Sequence, residues 1–393
     1  DCDLDRASRR RESIRRDRER TFFDLMALLS EAERLDPRVA GADAVRARFY
    51  LEKMEEALLA RDFIEAELYR ELVDRHDPDG AVTAHLRRAC TLDVGATPRG
   101  ASVAAFRYEE HPDEPRLVPV PLPAPLPPTP FEAAIEPGAY QLVLSHEGFE
   151  DLRWSFDADP GERVSATLRL LPAGSTPEGF VYVPVGEYWI MEREVTCGEY
   201  LAFLNDPATL AAIDAAETPI RVPRGPDGVS WARGAGGRYA IPADWDARWP
   251  AIGVSYRDAE AYARWLSERD GRAYALPTRE EWTRAAHGDM RRTYPFGNAW
   301  RAKWVSSCYS RPTAMPEPVM SYPVDRSPYG CFDLCGSAAE WIDDWFDEER
   351  GFKRLGGSSW GMTDPAGFAI WGGNGAPPDA ASHAYGFRLV IRR

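Results

Sequence analysis

Twelve of the chain's 13 tryptophans fall from Trp189 onward, in a stretch from about residue 177 to residue 393 with little regular periodicity. A region so rich in aromatics and turns must be held by side-chain packing around irregular backbone, since few long helices or alternating strands can be drawn through it. One helix does stand out. "SYRDAEAYARWLSERDG" puts Ala259, Tyr262, Ala263 and Leu266 on one face, with Ser255 as its cap and Gly271 as its stop. The end of the region, "GGSSWGMTDPAGFAIWGGNGAPPDAASHAYGFRLV" from Gly356 to Val390, is too rich in glycine and proline for a helix. It nevertheless carries Trp360, Phe368, Trp371 and Tyr385, which a solvated loop does not normally hold.

Two other regions precede it. Residues 1 to about 90 are charged, almost free of glycine and helical in period. Phe22, Leu25, Met26, Leu29 and Ala32 recur at helical spacing, as do Leu51, Met54 and Leu58, then Ile64, Leu68 and Leu72. Asp62 suits the cap of the last helix and Ala66 a tight crossing, so the region reads as a small antiparallel hairpin, similar to a tetratricopeptide hairpin. Residues 91 to about 172 change to a two-residue period between Gly, Pro and Asp turns, the pattern of strands. Inside them "VPVPLPAPLPPTPF" has proline at near-alternate positions, which removes ladder donors; it must be an edge or a bridging loop.

At 393 residues there is room for two or three domains. Net charge is −15, which argues against a general nucleic-acid surface. The basic run "RASRRRESIRRDRER" is interleaved with acids and reads as a solvated helix face. No run of about 18 apolar residues is present, so no membrane span is expected. The chain starts at Asp1 without a signal pattern, and reads as a segment with a neighbour upstream. Cys2, Cys90, Cys197, Cys308, Cys331 and Cys335 are few and scattered, so no disulfide framework is implied and a reducing, cytoplasmic setting fits. Cys331 and Cys335 lack a second pair at zinc spacing and read as core thiols.

Motifs now add a family. "ATPRGASV" followed by "PPTPFEAAIEPGAYQLVLSHEGF" resembles the PEGA-type β-sandwich module, a non-catalytic spacer, with the proline stretch as an insertion. "PEGFVYVPVGEYWI", "MEREVTCGEYLAFLND", "ALPTREEWTRAAHGD", "SPYGCFDLCGSAAEWIDDWF" and the closing "RLGGSSW…GFRLV" resemble, in order and spacing, the formylglycine-generating-enzyme (sulfatase-modifying factor) domain. The resemblance implies an α+β class: a C-type lectin fold over 177–393, behind a β-sandwich at 91–172 and a helical region at 1–90. The layout is also similar to the C-terminal half of certain bacterial Ser/Thr protein kinases. No kinase motif occurs in the chain, so a kinase domain, if there is one, lies upstream of Asp1.

The generating enzyme oxidises a substrate cysteine with copper held by two thiols between "GGSW" and "GFR". The matching stretch here, Thr363 to Tyr385, contains no cysteine, and soft Cu(I) needs soft ligands. The iron-dependent branch of the fold relies on a histidine cluster, and His76, His85, His111, His146, His287 and His383 form none. Glu340, Asp343 and Asp344 in "EWIDDW" resemble an acid/base set, yet at helical spacing Glu340 and Asp344 share a face. The resemblance makes Glu340 a buried anchor instead. It also implies a structural calcium beside an Asn of this motif, but Ser337 stands there and removes a carbonyl ligand. No catalytic residue, metal-ligand residue or cofactor is therefore expected, while a structural calcium stays open.

The expectation is a non-catalytic recognition protein whose face at about 358–385 meets a protein or small ligand. Its candidate contacts are Trp360, Met362, Asp364, Phe368, Ile370, Trp371, Asn374, Ser382, His383 and Tyr385, aromatic and small polar residues among glycines as in paratopes. Trp360 suits core and face equally. Phe368 and Ile370 alternate with Ala369 and Trp371, so one pair points inward; which one stays open. His383 and Tyr385 are expected exposed. In diversity-generating retroelements the variable protein carries its diversified codons in this same stretch, and the chain is in the right register for that role. Two further readings stand beside it: the regulatory half of a Ser/Thr kinase, and a residual oxidase of the generating type.

Overall fold

The computed structural model of the chain describes residues 20–21, 23–32, 34–35, 41–59, 63–225 and 228–393. The basic run at 6–19, Cys2, Phe22, the Asp62 cap and the Ile64 side chain lie outside the described residues. Two compact units divide the chain, Asp1–Arg88 and Ala89–Arg393. Among the described residues no helix is long and apolar enough to cross a membrane.

In the first unit α1 (Ala42–Leu59) and α2 (Phe63–His76) pack together. Leu51, Met54, Ala57, Ala66 and Val73 form their buried seam, with Tyr50 stacked on Tyr69. Leu58 and Leu68 depart from the expected face and stand exposed. A two-helix pair buries only one stripe, and Ala66, Tyr69 and Val73 already occupy it at i, i+3, i+7.

The second unit begins with seven strands: β1 (Cys90–Thr97), β2 (Ser102–His111), β3 (Glu114–Pro121), β4 (Phe131–Ile135), β5 (Gly138–Ser145), β6 (Leu152–Ala158) and β7 (Arg163–Arg169). They make two sheets, in the orders β4–β1–β7 and β3–β2–β5–β6. Inward residues alternate along the strands, as at Leu92, Val94 and Ala96, and meet Leu142, Leu144, Trp154 and Phe156 in the shared core. The proline stretch takes both expected forms. Pro119 and Pro121 sit on β3, an edge strand paired only with β2, and 122–130 then bridges to β4 in the other sheet.

The remainder is β8 (Phe180–Val183), β9 (Tyr188–Met191), α3 (Cys197–Leu204), α4 (Pro207–Asp214), β10 (Arg224–Gly225), β11 (Gly228–Val229), α5 (Tyr256–Asp270), β12 (Tyr274–Ala275), α6 (Arg279–His287), β13 (Ala339–Asp347), β14 (Phe352–Gly356), β15 (Asn374–Ala376), β16 (Tyr385–Gly386) and β17 (Val390–Arg392). One sheet runs β12–β17–β9–β8, so the last strand closes beside the first pair; the other runs β15–β14–β13–β16. Helix α5 has Ser255 and Asp258 in a reciprocal capping box and ends on Gly271 at φ 68°. "EWIDDW", weighed above at helical spacing, is strand β13, bulged near Trp345. Pairing to β14 on one side and β16 on the other overrides any local helical preference.

The sandwich is joined to this region through named contacts. Trp154 Nε1 donates to Asp289 Oδ2 at 3.1 Å and Gln141 Nε2 to the Pro328 carbonyl at 3.1 Å. The buried Arg292 guanidinium lies 3.8 Å above the Tyr108 ring.

Candidate functional site

Strand β14 releases the chain at Gly357, whose φ is +66° and where an added Cβ would lie 2.8 Å from the Leu334 carbonyl oxygen, so no side chain fits. From there to β16 the segment is fastened at intervals. Ser358 N–H donates to the Cys335 carbonyl at 3.1 Å and Trp360 N–H to the Ser337 carbonyl at 2.8 Å. Trp360 Nε1 donates to the His383 carbonyl at 2.9 Å, which ties the two ends of the segment together. Asp364 accepts from Ala366 N–H at 3.0 Å and starts a short 3-10 turn, Pro365–Phe368. Asn374, at the start of β15, pairs with Leu355 of β14.

The structure sorts the ten candidate residues. Phe368 is fully buried among Tyr294, Phe296, Trp304 and Cys335, and Ile370 is 3 % exposed against Trp282 and Ile342. Both are therefore corrected from face to core. The alternation anticipated for 368–371 does not form, because a 3-10 turn precedes Ala369, and Phe368, Ala369 and Ile370 are all buried. Trp371 packs half-buried between those two core clusters. His383 and Tyr385 are also half-buried rather than exposed. The His383 Nε2 lies 2.6 Å from Ser230 Oγ and its ring meets Trp245 edge-on, while Tyr385 packs 5.3 Å from Trp341. Ser382 is half-buried, with its carbonyl accepting from Gly253 N–H at 2.9 Å. Asp364 and Asn374 are exposed, and Trp360 and Met362 half-buried.

Sequence reasoning missed the neighbours of this face. Trp345 and Phe346 of β13 are 43 % and 44 % exposed, and Phe346 lies directly over Gly375. Lys353 Nζ sits 4.5 Å from the Tyr256 ring centre and 4.6 Å from that of Trp345, and Arg354 covers Phe346. The residues that cover His383, Ser230 and Trp245, come from a segment with no periodic signal. Its density in tryptophan, at 231, 245 and 249, was the available clue.

Beneath the face is a buried ionic centre. Arg388 donates to both oxygens of Glu340, at 2.7 and 2.6 Å, and to the carbonyls of Met191 and Phe332. Trp282 Nε1 donates to the same Glu340 at 2.9 Å. Glu340 and Arg388 are both 0 % exposed. Burial works against the Arg388 charge, but Glu340 more than offsets it and raises the guanidinium's pKa. Glu194, Asp325 and Asp333 are buried in the same region. Burial, then the charges of Asp333 and Glu340, pushes Glu194 well above the usual carboxylate range. Burial pushes Asp333 up to about 6, against the Met320 N–H bond that favours its charged form.

A buried acid with a raised pKa gives stability a defined sign. Between about pH 4 and 6 the folded chain keeps the Asp333 proton while the unfolded chain loses it, so this group's contribution falls as pH rises through that window. Asp333→Asn should therefore gain on the wild type as pH rises from about 4 to 7. Urea unfolding of both proteins at the two ends of the window measures it; a difference that stays constant contradicts the assignment.

Thiol chemistry has little support here. Cys331 and Cys335 are fully buried; burial pushes the Cys331 thiol up to about 11 and raises Cys335 further from ionisation. A calcium ion takes six or more oxygens. The Ser337 carbonyl is already used by Trp360 N–H, and among the described residues no three His, Cys, Asp or Glu side chains gather as a metal would require. At Ser337 the chain offers a hydroxyl where the resemblance puts an amide carbonyl for calcium.

Two sheets closed by the terminal strands, with α5 and α6 and a long loop pinned over a buried Glu–Arg pair, define an α+β C-type lectin fold of the formylglycine-generating type. The chain belongs to the sulfatase-modifying factor enzyme 1-like domain family, which residues 161–393 match, and residues 126–173 match the PEGA domain. It is similar to the serine/threonine-protein kinase pkn1 of Chlamydia caviae, 37% identical over 101 residues, which is 25% of this chain and 14% of the kinase. It is also similar to the inactive C-alpha-formylglycine-generating enzyme 2 of Bos taurus, 31% identical over 157 residues, covering 36% of this chain and 50% of that protein. The chain thus spans at most half the length of these curated relatives. The solved Treponema denticola variable protein 1 overlaps 65% of this chain and 96% of its own at 16% identity, with a TM-score of 0.39.

Proposed function

We propose that this chain is a non-catalytic recognition module whose ligand meets the face made by Trp360, Met362, Asp364, Trp371 and Asn374, with Trp345 and Phe346 at its rim. The observation that carries the reading is the terminal segment itself: it has no thiol where the resemblance puts the copper ligands, and it is pinned to the core while its polar tips remain exposed. Loops held on a rigid scaffold lose little entropy on binding, and half-buried aromatics are already ordered.

The test has two arms. Purified protein supplied with copper and a cysteine peptide should consume no oxygen; turnover would overturn the reading. A peptide-display selection on the wild type should yield ligands that bind at least tenfold more weakly to Met362→Lys and Asn374→Lys. Asn374 is exposed, so its substitution should move stability by only about 0.5 kcal/mol. Ligands indifferent to both variants would place recognition elsewhere.

A second reading, the regulatory half of a Ser/Thr kinase, is favoured by the 37% identity to the chlamydial kinase. Kinase motifs encoded upstream of Asp1 would support it. The variable-protein reading is checked in the same DNA: a near-repeat of the codons for 358–385 beside a reverse transcriptase gene supports it, and their absence sinks it.

A further inference from the structure

A cavity of about 510 Å³ lies at the start of α5, walled by residues 218–224 on one side and by Arg257, Glu260 and Arg264 of α5 on the other. Its lining holds four arginines, Arg221, Arg224, Arg257 and Arg264, against the carboxylates of Asp258, Glu260 and Asp379. On a chain of net charge −15 this is a local excess of positive charge.

The deeper two arginines are preorganised. Asp258, 1 % exposed, accepts from Arg221 at 3.3 Å and from Arg224 at 2.8 Å, so one carboxylate neutralises only one of the two guanidiniums it fixes. Arg221 holds φ +65°, an unfavourable backbone state for a side chain of this size. It is held there by its N–H on Asp258 Oδ1 at 2.7 Å and its carbonyl on the Tyr200 hydroxyl at 2.7 Å. Arg224 also donates to the Asp379 carbonyl at 3.3 Å, which joins the far wall. The outer two are exposed donors: Arg257 pairs with the exposed Asp379 at 2.8 Å, and Arg264 is exposed about two turns further along the same helix face.

We propose that this cavity binds a small anion carrying a phosphate group. Guanidiniums arriving from two walls suit the several oxygens of a tetrahedral dianion better than one planar carboxylate, and each can bind two of its oxygens. The volume is that of a small-ligand site rather than of a single ion. Arg221 and Arg224 form the fixed floor; Arg257 and Arg264 close from the helix, with Arg257 exchanging Asp379 for the ligand. This inference is independent of the recognition face, and Asn374→Lys lies outside the cavity.

Calorimetric titration of the whole chain at low ionic strength with glucose 6-phosphate, inorganic phosphate and glutarate tests it. Saturable binding of glucose 6-phosphate is expected, weakened at least tenfold in the Arg257→Ala/Arg264→Ala variant. Those two side chains are exposed, so the variant should fold, and its melting curve checks that. Inorganic phosphate binding as tightly as the sugar phosphate would assign the site to free phosphate, and the double variant should weaken it equally. No saturable binding of either phosphate, undiminished binding in the double variant, or binding of glutarate alone would each overturn the proposal.

Discussion

Arg388→Ala should unfold this domain more readily than any surface change, at a cost of roughly 3–5 kcal/mol, because it strands Glu340 without its counter-charge in a wholly buried site. The remaining donor, Trp282 Nε1 at 2.9 Å, cannot neutralise a carboxylate that already has Glu194 and Asp333 nearby. The value of the pair lies in not breaking it. Replacing both partners with apolar residues of similar size, Arg388→Met with Glu340→Leu, should recover most of the loss. Urea unfolding of Arg388→Met, Glu340→Leu and the double variant closes a mutant cycle with a large coupling term. If Arg388→Met and Glu340→Leu instead add independently, the pair is not the anchor described here.

The second large effect lies at Trp341. This ring is 0 % exposed, donates through Nε1 to the Val254 carbonyl at 2.9 Å, and packs edge-on against Tyr256 and Tyr385. Trp341→Ala should cost about 3–5 kcal/mol through lost burial and the cavity left behind, a large part of the roughly 5–15 kcal/mol that stabilises a typical domain. Trp341→Phe separates two contributions. It keeps an aromatic ring but leaves the Val254 carbonyl without its donor, for about 1–3 kcal/mol. Thermal melts of both variants measure this, and a Trp341→Ala protein melting with the wild type would refute the packing described. Because Tyr385 leans on Trp341, the alanine variant should also loosen the terminal segment.

Much of the architecture was legible before any coordinates. The Ser255 cap, the inward face of α5 and the Gly271 stop are local features, set by residues within a few positions of one another. So are the alternating strands of the sandwich and the punctuation that separates them. The loss of thiols between Thr363 and Tyr385 is likewise a property of the chain alone, and it bears on catalysis wherever that segment folds.

The site was less legible, for a physical reason. Whether Phe368 is core or contact depends on Tyr294, Phe296 and Trp304, more than 60 residues away, and nothing in "PAGFAIW" encodes their presence. His383 was expected in solvent because it sits just before the final core strand; Ser230 and Trp245 cover it from a segment without periodicity. Asp258 looks like an ordinary capping residue in sequence, and only the return of residues 221–224 makes it the pivot of an arginine-lined cavity. Sequence alone thus determined the ends of α5, the inward faces of the sandwich strands and the missing thiols, each of which rests on neighbours along the chain. Tertiary structure decided which aromatics of the terminal segment are core and which are half-buried, where the buried charges are paired and where the arginines converge, because burial and electrostatic balance are sums over residues brought together only by folding.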